Sequence, residues 1–257
     1  TAMVVAESVL NLACVGARPL ALVNCLNFGN PEHPEVMWQL SESIDGMGEA
    51  CRAFGIPVVG GNVSLYNESR GNDIDPTPVI GLLGVVDRLD RRPPGVGLVD
   101  GGRLLLLGTR SSHLGGARVW KDAPVLPPLD LAAVTAVANL VRGLVADGLL
   151  AGAHDVADAG LAGVLGELVA RSGRGVGVGL DGAGELFSET VGRVLVCVAP
   201  EHVDAVVARA GAVPIVDIGG VGGDRLVVEG LVDLAVAEVV SAFRDTLPNA
   251  MSAGATH

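Results

Sequence analysis

The chain has 257 residues, 49% of them hydrophobic, and a formal net charge of −12, so it can bury a sizeable core while its acidity argues against nucleic-acid and anionic-membrane partners. Aromatics make up only 3%, which leaves Val, Leu, Ala and Ile to build that core, and 37 glycines suit a fold with many turns between strands and helices. No apolar run reaches the ~20 residues that cross a bilayer, the N-terminus carries no basic segment ahead of an apolar one, and the 4 cysteines include no C-x-x-C pair, as expected of small buried thiols in a reducing, cytoplasmic setting.

Residues 2–15 predict an apolar helix ended by Gly16. The chain therefore starts inside an element and without an initiator Met, as a piece of a longer protein would. Residues 19–23 predict a buried strand, and 24–32 (NCLNFGNPE), rich in Asn with a Gly and a Pro, a polar loop at its end. The spacing of Val36, Leu40, Ile44, Met47 and Cys51 predicts a helix over 35–54, stopped by Gly55. A second buried strand is expected at 56–59, running into a second loop, 60–68 (GGNVSLYNE).

Residues 67–77 read as polar and mobile, and 78–86 as a strand. The segment 87–102, dense in Pro, Gly and Arg, reads as a domain boundary. Beyond it strands are expected at 103–108, 151–156, 175–180, 191–198, 213–218 and 225–228. Helices are expected at 129–148, 159–172, 201–210 and 234–246, with 247–257 a disordered tail. Helices recurring between strands give an α+β or α/β class in two mixed layers, divided into domains 1–90 and 91–246.

Three stretches carry candidate chemistry. The loops 24–32 and 60–68 each follow a buried strand, with a helix between them, and ligands gather at the carboxyl ends of strands in such layouts. The Gly60–Gly61 pair lets backbone N–H groups approach a phosphate, while Asn62, Ser64, Asn67 and Glu68 offer polar atoms to a phosphate or a metal ion. The alternative for both is a tight connection and nothing more. At 154–161 (HDVADAGL), Asp158 reads as an N-cap and Asp155 as a candidate metal carboxylate. Glu189 and Arg193 read as a structural ion pair. The phosphate loop G-x-x-x-x-G-K-[ST] and the G-x-S-x-G elbow are absent, and no cysteine sits in a glycine-flanked elbow of the glutaminase kind.

The strings NCLNFGNPE (24–32) and GGNVSLYNE (60–68), with HDVADAGL (154–161) and LFSETVGRVLV (186–196), resemble formylglycinamidine ribonucleotide synthetases of purine synthesis, over nearly the whole chain to about residue 240. The related aminoimidazole ribonucleotide (AIR) synthetases read Gly-Gly-Glu-Thr-Ala-Glu where this chain has GGNVSL, so the resemblance picks out one branch. The same loop argues against a selenophosphate or thiamine-monophosphate kinase relative.

The resemblance implies the second of two AIR-synthetase-like repeats, with a partial N-terminal α+β domain and a C-terminal α/β domain. It implies an ATP-dependent C–N ligase that turns formylglycinamide ribonucleotide and ammonia into the amidine, with ammonia drawn from a glutaminase subunit through a small bridging subunit. It places ATP contacts at Asn24 and Gly61, a Mg²⁺ ligand at Asn62, a substrate contact at Ser64 and an auxiliary nucleotide or metal site at Asp155. Catalytic residues belong to the first repeat, so none is expected here. Two departures stand out. Asn24 replaces the family's usual Asp, and Val191 replaces the Gln of the first repeat. A non-catalytic nucleotide-binding module that completes the site of the missing half is the alternative.

Overall fold

The computed structural model describes residues 1–120 and 125–254. The N-terminal part runs α1 (Ala2–Cys14), β1 (Arg18–Asn27), α2 (Pro34–Phe54), β2 (Val58–Ser64), β3 (Glu68–Ser69), β4 (Asn72–Asp73) and β5 (Thr77–Val85). The C-terminal part runs β6 (Arg103–Leu107), α3 (Leu131–Ala146), β7 (Gly152–Asp155), α4 (Gly160–Ser172), β8 (Val176–Val178), α5 (Ala183–Phe187) and β9 (Val194–Val198). A 3-10 turn (Pro200–His202), α6 (Val203–Arg209), β10 (Ile215–Val221), β11 (Arg225–Val228), β12 (Val232–Ala235) and α7 (Val236–Gly254) complete it.

The first part is built on a three-stranded sheet in the order β2-β1-β5, with β1 and β2 parallel and joined by α2. Pro34 sits in the first turn of α2, where its missing N–H costs nothing. Val36, Leu40, Met47 and Cys51 are buried, and Gly55 closes the helix at φ 66. Ile44, expected on the same stripe, is instead exposed. The second part is a mixed seven-stranded sheet in the order β12-β11-β8-β10-β6-β9-β7.

Strand alternation sorts the core into two. Leu105 and Leu107 of β6 and Val194, Val196 and Val198 of β9 join α1, α2 and α3 in one cluster. Leu104, Leu106, Leu195 and Cys197 point the other way, into a cluster with α4 and α7. The N-terminal helices therefore share a core with the C-terminal sheet. The neighbouring strands β6 and β9 are apolar on both faces because both faces are covered.

The structure corrects several expectations. Residues 24–27 and 60–64 are strand, not loop: β1 and β2 continue through their polar residues because ladder hydrogen bonds need only backbone. The second strand, expected to be buried, is an edge strand exposed from Val58 to Val63, with only Ser64 at its end half-buried and Ile56 buried ahead of it. Residues 68–73 form a hairpin rather than a mobile stretch. Asp158 does not cap α4, whose N-cap is Ala159 at φ 60; Asp158 is exposed beside Arg118. Glu189 does not pair with Arg193. It accepts the N–H groups of Ala159 and Arg118. Arg193, 1% exposed, donates to the carbonyls of Ser188 and Thr190. Residues 232–235 form a strand ahead of the last helix, which continues to Gly254 through most of the segment expected to be a disordered tail. Of the cysteines, Cys25 is only half-buried.

Candidate functional site

The parallel register sets the first two motifs abreast: Asn24 opposite Gly61, Cys25 opposite Asn62, Leu26 opposite Val63 and Asn27 opposite Ser64. Leu22 and Leu26 are buried against the helices, and the same alternation turns Asn24 and Gly61 toward that face. A Cβ on Gly61 would lie 2.2 Å from Oδ1 of Asn24 and 2.8 Å from its carbonyl oxygen, so the Asn24 amide occupies space that only glycine leaves. Nδ2 of Asn24 lies 3.4 Å from the sulfur of Met47 on α2.

Asn62 and Ser64 share the opposite, open face with Cys25 and Asn27. Asn62 is exposed, its Nδ2 3.9 Å from Cys25 Sγ, and among the described residues its Oδ1 accepts no hydrogen bond. Ser64 is held by Asn67, whose Nδ2 donates to Ser64 O (3.0 Å), Ser64 Oγ (3.1 Å) and Phe28 O (2.9 Å). Between them Tyr66 adopts a left-handed φ of 59, and its N–H donates to Gly29 O at 2.8 Å. Such a bulky residue persists in that conformation only where neighbours over-determine it, as they often do at binding sites.

Asp155 is not part of this group. It ends β7 in the C-terminal sheet, 5% exposed, where β7 packs on α1. The neighbouring His154 has Nδ1 2.7 Å from the Asp155 carbonyl and 3.4 Å from its carboxylate, and Nε2 3.3 Å from Glu167. The Asp155 carboxylate, outweighing burial and assisted by its carbonyl and by Glu167, lifts His154 to about 9.

Glu7 faces the same region. Burial raises its pKa first, and the negative charges of Asp155, Asp158 and Glu189 raise it further. Glu7 is the only charged residue in α1, a signal legible in the sequence that the group has a partner or a task. Among the described residues no group of three or more His, Cys, Asp or Glu side chains is arranged to hold a metal ion. Thr190 lies in a hydroxyl cluster, 2.8 Å from Ser111 and 3.0 Å from Ser188. Val191 lines a cavity of about 400 Å³ beside Arg110, Ser111 and His113.

A helix-backed sheet carrying paired Asn/Gly motifs, docked on a second mixed sheet, is the architecture of the AIR synthase related proteins, and the chain belongs to that family. Residues 1–86 match its N-terminal domain and residues 99–230 its C-terminal domain. Within it, the sequence is similar to phosphoribosylformylglycinamidine synthase subunit PurL. The Anaeromyxobacter dehalogenans (strain 2CP-C) protein is 40% identical over 274 residues, covering 98% of this chain and 36% of the relative. The Thermomicrobium roseum protein is 43% identical over 258 residues, 92% of this chain and 34% of the relative. The chain thus spans about a third of the length of these curated relatives. In fold it is similar to T. maritima PurL complexed with AMPPCP, with TM-score 0.69 and 18% identity over 93% of this chain and 41% of that one. It is also similar to the hydrogenase maturation protein HypE, with TM-score 0.67 and 20% identity over 89% of this chain and 78% of that one.

Proposed function

We propose that this chain is the C-terminal portion of an ATP-dependent C–N ligase that converts formylglycinamide ribonucleotide to formylglycinamidine ribonucleotide in purine biosynthesis. The observation that carries the reading is the β1–β2 register, which assembles both motifs on one sheet and divides their side chains by face. In this reading Asn24 and Gly61 contact ATP, Ser64 contacts the substrate and Asn62 offers its amide oxygen to Mg²⁺. The donor set suits Mg²⁺ in one respect: a hard cation takes a neutral amide oxygen when nucleotide phosphates and water supply the rest. Bound there, the ion would neutralise phosphate charge. No residue here is assigned as an acid or base, and the isolated chain is expected to lack turnover.

The open face of the three-stranded sheet, carrying Val23, Val79 and Leu83 beside Asn62, supports a partner in the N-terminal half of the same synthetase. A glutaminase subunit and a small bridging subunit complete the proposed assembly, which works in the cytoplasm. The domains divide at 90/91. A second role, as a nucleotide-holding structural module, draws on Asp155, buried at the end of β7 where it packs on α1.

Calorimetric titration of the chain with ATP, with and without Mg²⁺, tests binding, and absence of heat at millimolar nucleotide would remove both roles. In the full-length enzyme, Asn62→Ala is expected to raise the Mg²⁺ concentration needed for half-maximal activity. An unchanged Mg²⁺ titration would take Asn62 out of the site.

A further inference from the structure

We propose that Asp73 is a positioning residue for Ser64: it fastens the 68–73 hairpin to the turn after β1 and so fixes the strained segment that carries Asn67. This rests on the reading of Ser64 as a substrate contact. Asp73 lies in the stretch that the sequence presents as polar and featureless, and the function described above makes no use of it.

Both carboxylate oxygens of Asp73 are engaged within the chain. Oδ1 accepts the N–H of Asn30 at 2.7 Å, and Oδ2 lies 2.6 Å from Nδ1 of His33, the residue before α2. The carboxylate lies flush on Gly29, where an added Cβ would stand 2.4 Å from Oδ1. A side chain so occupied is a fastening, not a free ligand.

What it fastens is a closed ring. Phe28 O accepts both the N–H of Asn67 (3.2 Å) and its Nδ2 (2.9 Å), and Gly29 O accepts the N–H of Tyr66 (2.8 Å). Asn67 O in turn accepts the N–H of Ile74, next to Asp73, at 3.2 Å. Glu68 pairs with Asp73 across the hairpin. Its turn residues Arg70 and Gly71 have φ of 54 and 78, as a two-residue turn matched to strand twist requires.

The hairpin has only two residue pairs and cannot hold itself. Anchored through Asp73 to the 29–33 turn, it clamps residues 64–67 from outside, and Asn67 passes the constraint to Ser64 Oγ. Release of the anchor lets Tyr66 relax from its left-handed conformation and lets Asn67 leave Ser64. The loss falls on the group that Ser64 would bind, not on the Asn24–Gly61 contact inside the sheet.

The test uses the full-length enzyme. Asp73→Ala is expected to raise KM for formylglycinamide ribonucleotide by about tenfold or more, since small misplacements of a positioning group carry large kinetic effects, while KM for ATP moves by less than about twofold. Asp73→Asn should recover most of the loss, because its carbonyl still accepts from Asn30 and its amide can meet the neutral His33 ring. His33→Ala should show the same selective rise in smaller measure, and it carries the test alone if Asp73→Ala does not fold.

Hydrogen exchange at the amides of Tyr66 and Asn67 should quicken in each Ala variant. A substrate KM unchanged in both Ala variants, or raised equally with that for ATP, overturns the inference, as does unaltered exchange. A wild-type enzyme without synthetase activity would sink the functional reading instead. Exchange at 66 and 67 would then decide whether the fastening stands.

Discussion

The three-stranded and the seven-stranded sheet of this protein are built from the same small apolar residues yet live in opposite environments. Every residue of β9 is buried and β6 is buried from Leu104 to Leu107, between α3 on one side and α4 on the other. Along β2 no residue is buried, and Val59 and Val63 are 64% and 55% exposed. Hydrophobic composition tells that a residue can be buried, not that this chain buries it. The sheet covered on both faces stabilises the fold, whereas the sheet left open on one face carries the candidate binding residues together with an apolar surface suited to a partner.

That contrast breaks most readily at the level of stability. Leu106→Ala on β6 should cost about 2–5 kcal/mol, as truncation of a close-packed leucine does, whereas Val63→Ala on β2 should stay within about 0.5 kcal/mol in the isolated chain. Urea unfolding of the two variants gives the comparison, and equal losses would mean that β2 is covered in solution. In an assembly with the N-terminal half a substitution on the open face, Val79→Ala, should become costly, which sharpens the case for that partner.

A smaller effect is expected where the two motifs touch. Gly61→Ala places a methyl group against the Asn24 amide and should destabilise by about 1–3 kcal/mol, as overpacking does. ATP affinity should fall with it, and a variant that binds ATP normally would uncouple this contact from the site. Calorimetry and thermal unfolding on the same sample report the two effects separately.

The smallest effect is a pH dependence at the hairpin anchor. Asp73 holds its carboxyl below the usual range, first through the Asn30 N–H and then through His33, while Asp73 in turn raises His33, with Glu35 and Glu32 adding to it. A raised His contributes stability that is full below its unfolded pKa of about 6.5 and fades as pH rises through its folded value. A lowered Asp contributes stability present above about 3.9 and lost as pH falls through its folded value. The anchor is therefore strongest from about pH 4 to 6.5. Protection of the Asn30 amide relative to its intrinsic exchange rate should be greatest there and fall toward alkaline pH, and His33→Gln should flatten that fall.

Much of the fold was legible because it rests on local periodicity. The stripe of Val36, Leu40, Met47 and Cys51 specified α2, and the uninterrupted apolar runs of β6 and β9 specified strands. The motifs were legible as chemistry, since Gly, Asn and Ser replace the Val or Ile that a strand prefers. What misled was taking polar residues as the end of a strand: β1 and β2 keep their ladder through Asn24, Asn27, Asn62 and Ser64 because the backbone, not the side chain, makes it.

By itself the sequence determined the two-part α/β organisation, the family and the residues worth testing, because period and motif are written in neighbouring positions. The tertiary structure alone decided which face each of those residues takes and which distant groups meet. It set Asn24 over Gly61, closed Asp73 on the 29–33 turn, and gave Glu189 to the Ala159 and Arg118 amides rather than to Arg193. These meetings depend on strand register and on the packing of one part against the other. Both are fixed by the burial of whole surfaces and leave no trace in any short stretch of the chain.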